Sequence, residues 1–132
     1  MEETFVILKP DAVERGLIGE IIARIERKNM QITRMEMTTL EKEVVEEHYA
    51  HLKDLPFFGK IVEFMTRGPV VLLIVQGEAA IGEIRRMAGA TNFEEADFGT
   101  IRGDFATSVQ ENLIHTSDAP ETAEGEIKRF FG

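Results

Sequence analysis

The order of apolar and polar positions divides the chain into strands and helices. Two unbroken apolar runs, Phe5-Val6-Ile7-Leu8 and residues 70–75, predict strands buried on both faces. The second opens at Gly68-Pro69 and closes at Gln76-Gly77. Residues 31–39 alternate instead. Met35 and Met37 fall on one side and Arg34, Glu36 and Thr38 on the other, as in a half-exposed strand. Residues 113–116 predict a short fourth strand.

Helical spacing fills the intervals. Ile18, Ile21, Ile22 and Ile25 recur at i, i+3, i+4 and i+7, with Glu20, Arg24, Glu26 and Arg27 outside. A second helix over 41–52 turns Val44, Val45, His48 and Leu52 inward. A third follows Pro56, with Phe58, Ile61, Val62 and Met65 on one side. A fourth spans 80–88, with Ile81 and Ile84 inward. The last spans 120–131, where Asp118 and Glu121 predict a capping box and Pro120 suits the first turn. Residues 89–104 hold Gly89, Gly99 and Gly103 and show no sustained period. They predict a long loop, which in a compact chain usually carries function. Helices joining strands on one side of an antiparallel or mixed sheet predict an α+β sandwich. The arrangement that fits is ferredoxin-like βαββαβ, a four-stranded antiparallel sheet covered by helices, built as a single domain over residues 1–132.

Charge and composition narrow the partners. The chain carries 24 acidic and 15 basic side chains, a net charge of -9. That disfavours nucleic acid and anionic membranes as partners. It also means that any anionic ligand requires local cations to overcome the global field. There is no cysteine, so neither a disulfide nor a thiolate metal site can form. Met1-Glu2-Glu3-Thr4 does not open a signal peptide, and no apolar run approaches the ~20 residues of a membrane span. The expected setting is cytoplasmic.

The candidate chemistry is scattered. His48 and His51 stand at i, i+3 on one helix. No third metal ligand is evident, so an ordinary helix face is the reading there. His115 ends a short apolar strand within Asn112-Leu-Ile-His-Thr-Ser-Asp118; by pattern alone, a lone histidine is more often structural than catalytic. Lys9 closes the first strand and can present a point charge to phosphate. Glycines beside Thr91 and Arg102 suit an anion pocket. No Walker or Gly-x-Gly-x-x-Gly pattern occurs. Arg85 and Arg86 read as exposed helix charges.

Taken together, these strings resemble the nucleoside diphosphate kinase family along nearly the whole chain. The markers are Lys9-Pro-Asp, Gly16-Leu-Ile-Gly-Glu-Ile-Ile, His48-Tyr49, Pro56-Phe-Phe58, Thr66-Arg-Gly-Pro-Val-Val, Gly89-Ala-Thr-Asn92, Gly99-Thr-Ile-Arg-Gly-Asp-Phe105 and Asn112-Leu-Ile-His115-Thr-Ser-Asp118. The resemblance implies ping-pong transfer of a γ-phosphoryl group from a nucleoside triphosphate to a nucleoside diphosphate. The intermediate would be a phosphohistidine at the pros nitrogen of His115. It further implies that Lys9 and Tyr49 lie at the phosphoryl group and that Arg85, Arg102 and Thr91 hold phosphates. Asn112 with Lys9 would hold the ribose. Phe57 and Val109 would flank the base, and Glu126 would act on His115 through Ser117. Mg²⁺ would arrive on the nucleotide without dedicated protein ligands. A homo-oligomer (hexamer, tetramer or dimer) is implied as well.

The sequence departs from the family at Ala12 and Thr116, where glycine is usual, and at Phe93 and Phe98, where proline is common. Thr116 adds bulk beside the nucleophile. Two lost prolines loosen the loop entropically, and the chain ends at Phe131-Gly132 without a longer tail. The alternative is a noncatalytic nucleotide-binding or scaffold relative of the same fold, which Thr116 favours. A regulatory ferredoxin-like module unrelated to phosphoryl transfer would require every site match to be coincidence.

Overall fold

The computed structural model describes residues 1–132. Four strands form the sheet: β1 (Glu2–Leu8), β2 (Gln31–Thr38), β3 (Val70–Gly77) and β4 (Ile114–Thr116). Their order is β2-β3-β1-β4, and every neighbouring pair is antiparallel. This is the ferredoxin-like order expected. The helices are α1 (Pro10–Glu14), α2 (Ile18–Arg27), α3 (Lys42–His48), α4 (Phe58–Thr66), α5 (Ala80–Ala88), α6 (Ile101–Phe105) and α7 (Pro120–Phe131). No helix is long and apolar enough to cross a membrane.

The two apolar runs are buried on both faces because helices cover both. Val6, Leu8, Val71, Leu73 and Val75 pack against Ile21 and Ile25 of α2 and Ile84 of α5. Phe5, Ile7, Val70 and Leu72 point the other way, onto Val45 of α3, Val62 and Met65 of α4 and the apolar side of α7. The helices therefore do not lie on one side of the sheet, as the sequence pattern implied. β2 departs in another way. It is an edge strand, and Met35 and Met37 are 56% and 58% exposed, so neither of its faces is buried within this chain.

The segment from Gly89 to Asp104 is not a featureless loop. A 3-10 turn forms at Phe93–Glu95, and Ile101–Phe105 is helix α6. Thr100 caps α6, its hydroxyl accepting the Gly103 N–H at 3.0 Å. Asp104 accepts the Gly99 N–H at 2.8 Å and the Arg24 guanidinium at 2.7 Å, pinning the loop to α2. Five residues are too few to show a 3.6-residue period, and Gly103 within them argued against a helix. The capping box at α7 does not form either. Its N-cap is Ala119, without a side-chain hydrogen bond, and Pro120 holds the first position.

Gly103 is required by space. A Cβ there would run into the Asp97 carbonyl oxygen, which is backbone and cannot swing away. Gly103→Ala should lower unfolding free energy by about 1–3 kcal/mol in urea titration.

Candidate active site

β4 sets the centre of the site. Its register pairs Ile7 with His115 and Leu8 with Ile114. Ile114 thereby joins the α2/α5 side, and His115 points to the side of α3 and α7. There its Nε2 lies 2.9 Å from Glu126 Oε2 of α7. The Ser117 hydroxyl donates to the other carboxylate oxygen at 2.6 Å, and Ser117 Oγ accepts the Phe5 N–H at 3.3 Å. Glu126 therefore holds His115 directly, and Ser117 holds Glu126. The expected relay from Glu126 through Ser117 is corrected to this order. Burial works to raise the Glu126 carboxyl, but hydrogen bonds and charge from His115 and the Ser117 bond outweigh it, leaving it below the usual range. An ionised Glu126 accepts Nε2–H, so the free lone pair lies on Nδ1.

The structure adds a residue that spacing had assigned to a plain helix face. His48 is buried, and its ring meets His115 edge-on at 4.7 Å and 86°. Arg129 of α7 donates to His48 Nδ1 at 3.1 Å. Burial, followed by the charge of His115, pushes His48 down to about 3, so it is neutral here. His51 is exposed at the cavity wall and does not join this group. The ordinary helix face expected for the pair holds for His51 and not for His48. His48 meets a histidine 67 positions along the chain, a contact only the folded sheet creates.

Beside His115 opens a cavity of about 680 Å³. Lys9, at the end of β1, donates to Asn112 Oδ1 at 2.7 Å. Burial, then Arg102, lowers the Lys9 ammonium to about 8, while Asp11 works in the opposite direction. Arg102, on α6, donates to three backbone carbonyls: Gly89 at 2.8 Å, Ile114 at 2.6 Å and Asn112 at 3.4 Å. One N–H on each terminal nitrogen stays available. Burial, then Arg85, lowers its pKa to about 10. Arg85, Thr91 and Tyr49 complete the same wall. Tyr49 is raised to about 12 by burial and then by Glu126, so its hydroxyl keeps its proton.

A second cavity of about 350 Å³ shares Lys9, Tyr49, Thr91 and Asn112 with the first. Phe57 and Val109 line it, both partly exposed. The two cavities together form a cleft with a cationic inner end and an apolar outer end. Every residue proposed from the sequence lines it except Ser117, which lies behind Glu126.

This geometry can be set against known proteins. The family model described as nucleoside diphosphate kinase matches residues 2–132. The chain belongs to the nucleoside diphosphate kinase family. It is 53% identical to the nucleoside diphosphate kinase of Parabacteroides distasonis, covering 99% of this chain and 86% of that one. With the Archaeoglobus fulgidus protein of the same name it shares 50% identity, covering 99% and 87%. Among solved structures, the apo nucleoside diphosphate kinase of Encephalitozoon cuniculi superposes with a TM-score of 0.97 at 43% identity, covering 100% and 90%. A halophilic nucleoside diphosphate kinase from Halobacterium salinarum, solved in complex with CDP, gives 0.95 at 42% identity, covering 98% and 87%. The protein is thus a phosphotransferase acting on nucleotides, and the noncatalytic alternative is not favoured.

The departures from the nucleoside diphosphate kinase pattern find ordinary places. Ala12 is fully buried within α1, where a helical backbone accepts alanine. Thr116 lies in β4 opposite Val6, an extended position that suits a β-branched residue. Phe93 packs on the larger core cluster, while Phe98 is 93% exposed.

His48→Ala tests the contact with His115. It removes ring packing and leaves the Arg129 donor unpartnered, so stability at pH 8 should fall by about 2–4 kcal/mol. The deficit should narrow as pH falls from 7 to 5. Unfolded wild-type chain takes up a proton at His48 below about pH 6.5, whereas the native site does so only near 3. Wild type therefore loses stability through that window, and the variant lacks this loss. Urea titrations at several pH values would read it, and a constant deficit would contradict it.

Proposed function

We propose that His115 Nδ1 is the nucleophile of a ping-pong phosphoryl transfer. The observation that carries this reading is the bond of Glu126 to His115 Nε2 in the cavity wall, which leaves Nδ1 as the nitrogen with a free lone pair. In the first half-reaction the Nδ1 lone pair forms a bond to the γ-phosphorus of a nucleoside triphosphate such as ATP. The bond from that phosphorus to the bridging oxygen breaks, and the nucleoside diphosphate leaves with the electron pair. The imidazole keeps its Nε2–H throughout, and Glu126 offsets the positive charge that develops on the ring. In the second half-reaction a terminal phosphate oxygen of another nucleoside diphosphate attacks the phosphorus, and the N–P bond breaks back to the ring.

Lys9, Arg85 and Arg102 hold phosphate oxygens, where negative charge spreads in the transition state. Thr91 and Tyr49 add hydroxyl donors. Asn112 and Lys9 hold the ribose hydroxyls, and Phe57 and Val109 flank the base. Stacking accepts any base, because each has a π-face. Magnesium supplies charge neutralisation across the phosphates when it arrives with the nucleotide. Both Glu126 oxygens are engaged, and the other carboxylates in the cavity wall are Asp118 and Glu121. Asp118 and Glu121 are the carboxylates that would stand near a magnesium ion carried in on the phosphates. A free nucleotide pool as substrate supports a cytoplasmic setting.

The reading extends to a homo-oligomer (dimer, tetramer or hexamer). Support comes from the uncovered edge strand with Met35 and Met37 and from the exposed Phe98 ring. Light scattering should give a multiple of the chain mass, and a monomer at micromolar concentration would count against it.

Incubation with ATP and Mg²⁺ should give an acid-labile, base-stable phosphate that any added nucleoside diphosphate discharges. His115→Ala should remove the label. Label persisting in that variant would show the nucleophile to be elsewhere.

A further inference from the structure

Lys9-Pro10-Asp11 contains one ionisable residue, Asp11, that was given no part in the chemistry above. Asp11 is 3% exposed, in α1. One of its carboxylate oxygens accepts the Leu113 N–H at 3.1 Å, and the other is buried without a hydrogen-bond partner. Leu113 has φ of 79°, in the left-handed region that leucine seldom adopts. The Leu113 carbonyl in turn accepts the Lys9 N–H at 2.9 Å. The segment after β1 and the segment before β4 are thus clasped twice. Asn112, just before Leu113, accepts the Lys9 ammonium through its side chain and Arg102 Nε through its carbonyl.

An asparagine would accept the same Leu113 N–H without the cost of a buried, half-partnered charge. The hydrogen bond alone does not account for an aspartate. We propose that Asp11 is a positioning residue for phosphoryl transfer, its carboxylate both fixing the Asn112–Leu113 turn and serving as the buried counter-charge to the Lys9 ammonium. This rests on the assignment of Lys9 to the phosphoryl group.

The charges around the pair support the role. Arg102 from α6 opposes a protonated Lys9, and Asp11 from α1 favours it. The other groups at Lys9 are neutral: Asn112 before β4, and Tyr49 and His48 at the end of α3. On its other side Asp11 faces Glu111. Burial raises the Asp11 carboxyl, and Lys9 with the N–H groups of Asp11 and Leu113 holds it back. Without Asp11, the ammonium at the head of the cleft has burial and Arg102 against it and no nearby anion for it.

The test is the pH dependence of single-turnover phosphorylation by Mg-ATP in wild type, Asp11→Asn, Asp11→Glu and Lys9→Gln. Wild-type kcat/KM should decline above about pH 8 as Lys9 loses its proton. Asp11→Asn keeps the acceptor for Leu113 and removes the charge. Its decline should begin about half to one pH unit lower, so its deficit grows from pH 6.5 to 9 and reaches about three- to tenfold. Asp11→Glu keeps the charge and strains the turn, giving a uniform loss with the basic limb at its wild-type position. A deficit in Asp11→Asn that is the same at every pH, or absent, overturns the proposal. So does a displaced limb in Asp11→Glu, which carries the comparison should Asp11→Asn not fold. Lys9→Gln separates the two ideas. If it phosphorylates like wild type, the role of Lys9 itself fails. If it is impaired while Asp11→Asn tracks wild type, only the role of Asp11 fails.

Discussion

The site depends on one buried carboxylate. Glu126 is 4% exposed and engages two partners, His115 at 2.9 Å and Ser117 at 2.6 Å. A carboxylate in that position is costly unless its oxygens are satisfied, and both are. The arrangement decides which histidine nitrogen is basic. It also ties α7 to β4 and, through Ser117, to the centre of β1. His48 packs edge-on against the His115 ring, and Arg129 donates an N–H to the His48 Nδ1 lone pair. A nucleophile held in one orientation loses little entropy in reaching the phosphorus. On the proposed reading, the rigidity of this corner is the fold's main contribution to the chemistry.

The second constraint is the desolvation of cations in an acidic chain. Arg102 is buried and Lys9 half-buried, and their pKa values fall to about 10 and 8. Arg102 tolerates burial because three carbonyls point at it, from Gly89, Asn112 and Ile114. Those carbonyls belong to the end of α5 and the approach to β4, so one guanidinium also ties together the loops that bound the cleft. The net charge of -9 first read as an obstacle to an anionic ligand. It is compatible with one because Lys9, Arg85 and Arg102 line the cleft together. Many carboxylates lie elsewhere in exposed pairs, such as Glu14 and Glu111 with Arg67.

Much of this was legible in the sequence wherever a period ran long enough. β1, β3, α2 and α5, elements of seven to ten residues, follow directly from runs in which burial and periodicity agree. α6 was not legible, because its five residues are too few to show a period and are held as much by Thr100, Asp97 and Asp104 as by the buried Ile101. Nor was the exposure of Met35 and Met37. Alternation states that two faces differ, but it does not state that something within the same chain covers the apolar one. The site divides in the same way. Lys9, Arg102 and His115 stand in strings distinctive enough to be matched. His48 acquires its place only when antiparallel pairing sets β4 beside β1 and brings α3 and α7 over the same face. Asp11 was in view as part of a motif, but its unpartnered oxygen is a property of the folded interior.

The two ends of the cleft are built to different standards, and this bears on what the enzyme accepts. At the phosphate end Arg102 and Glu126 are buried and Lys9 half-buried, and each is hydrogen-bonded at close to ideal length, so their charge and position are fixed before a ligand arrives, whereas Arg85 is exposed. At the other end Phe57 is 38% and Val109 51% exposed, and neither offers a hydrogen bond from its side chain. Discrimination between bases requires donors and acceptors that a wrong base leaves unpaired. A ring and an aliphatic side chain supply only contact, which every base can provide. Selectivity on the proposed reading therefore lies almost entirely in the phosphates and ribose that all nucleotides share. The same cleft can then serve donor and acceptor in turn, which a ping-pong transfer needs.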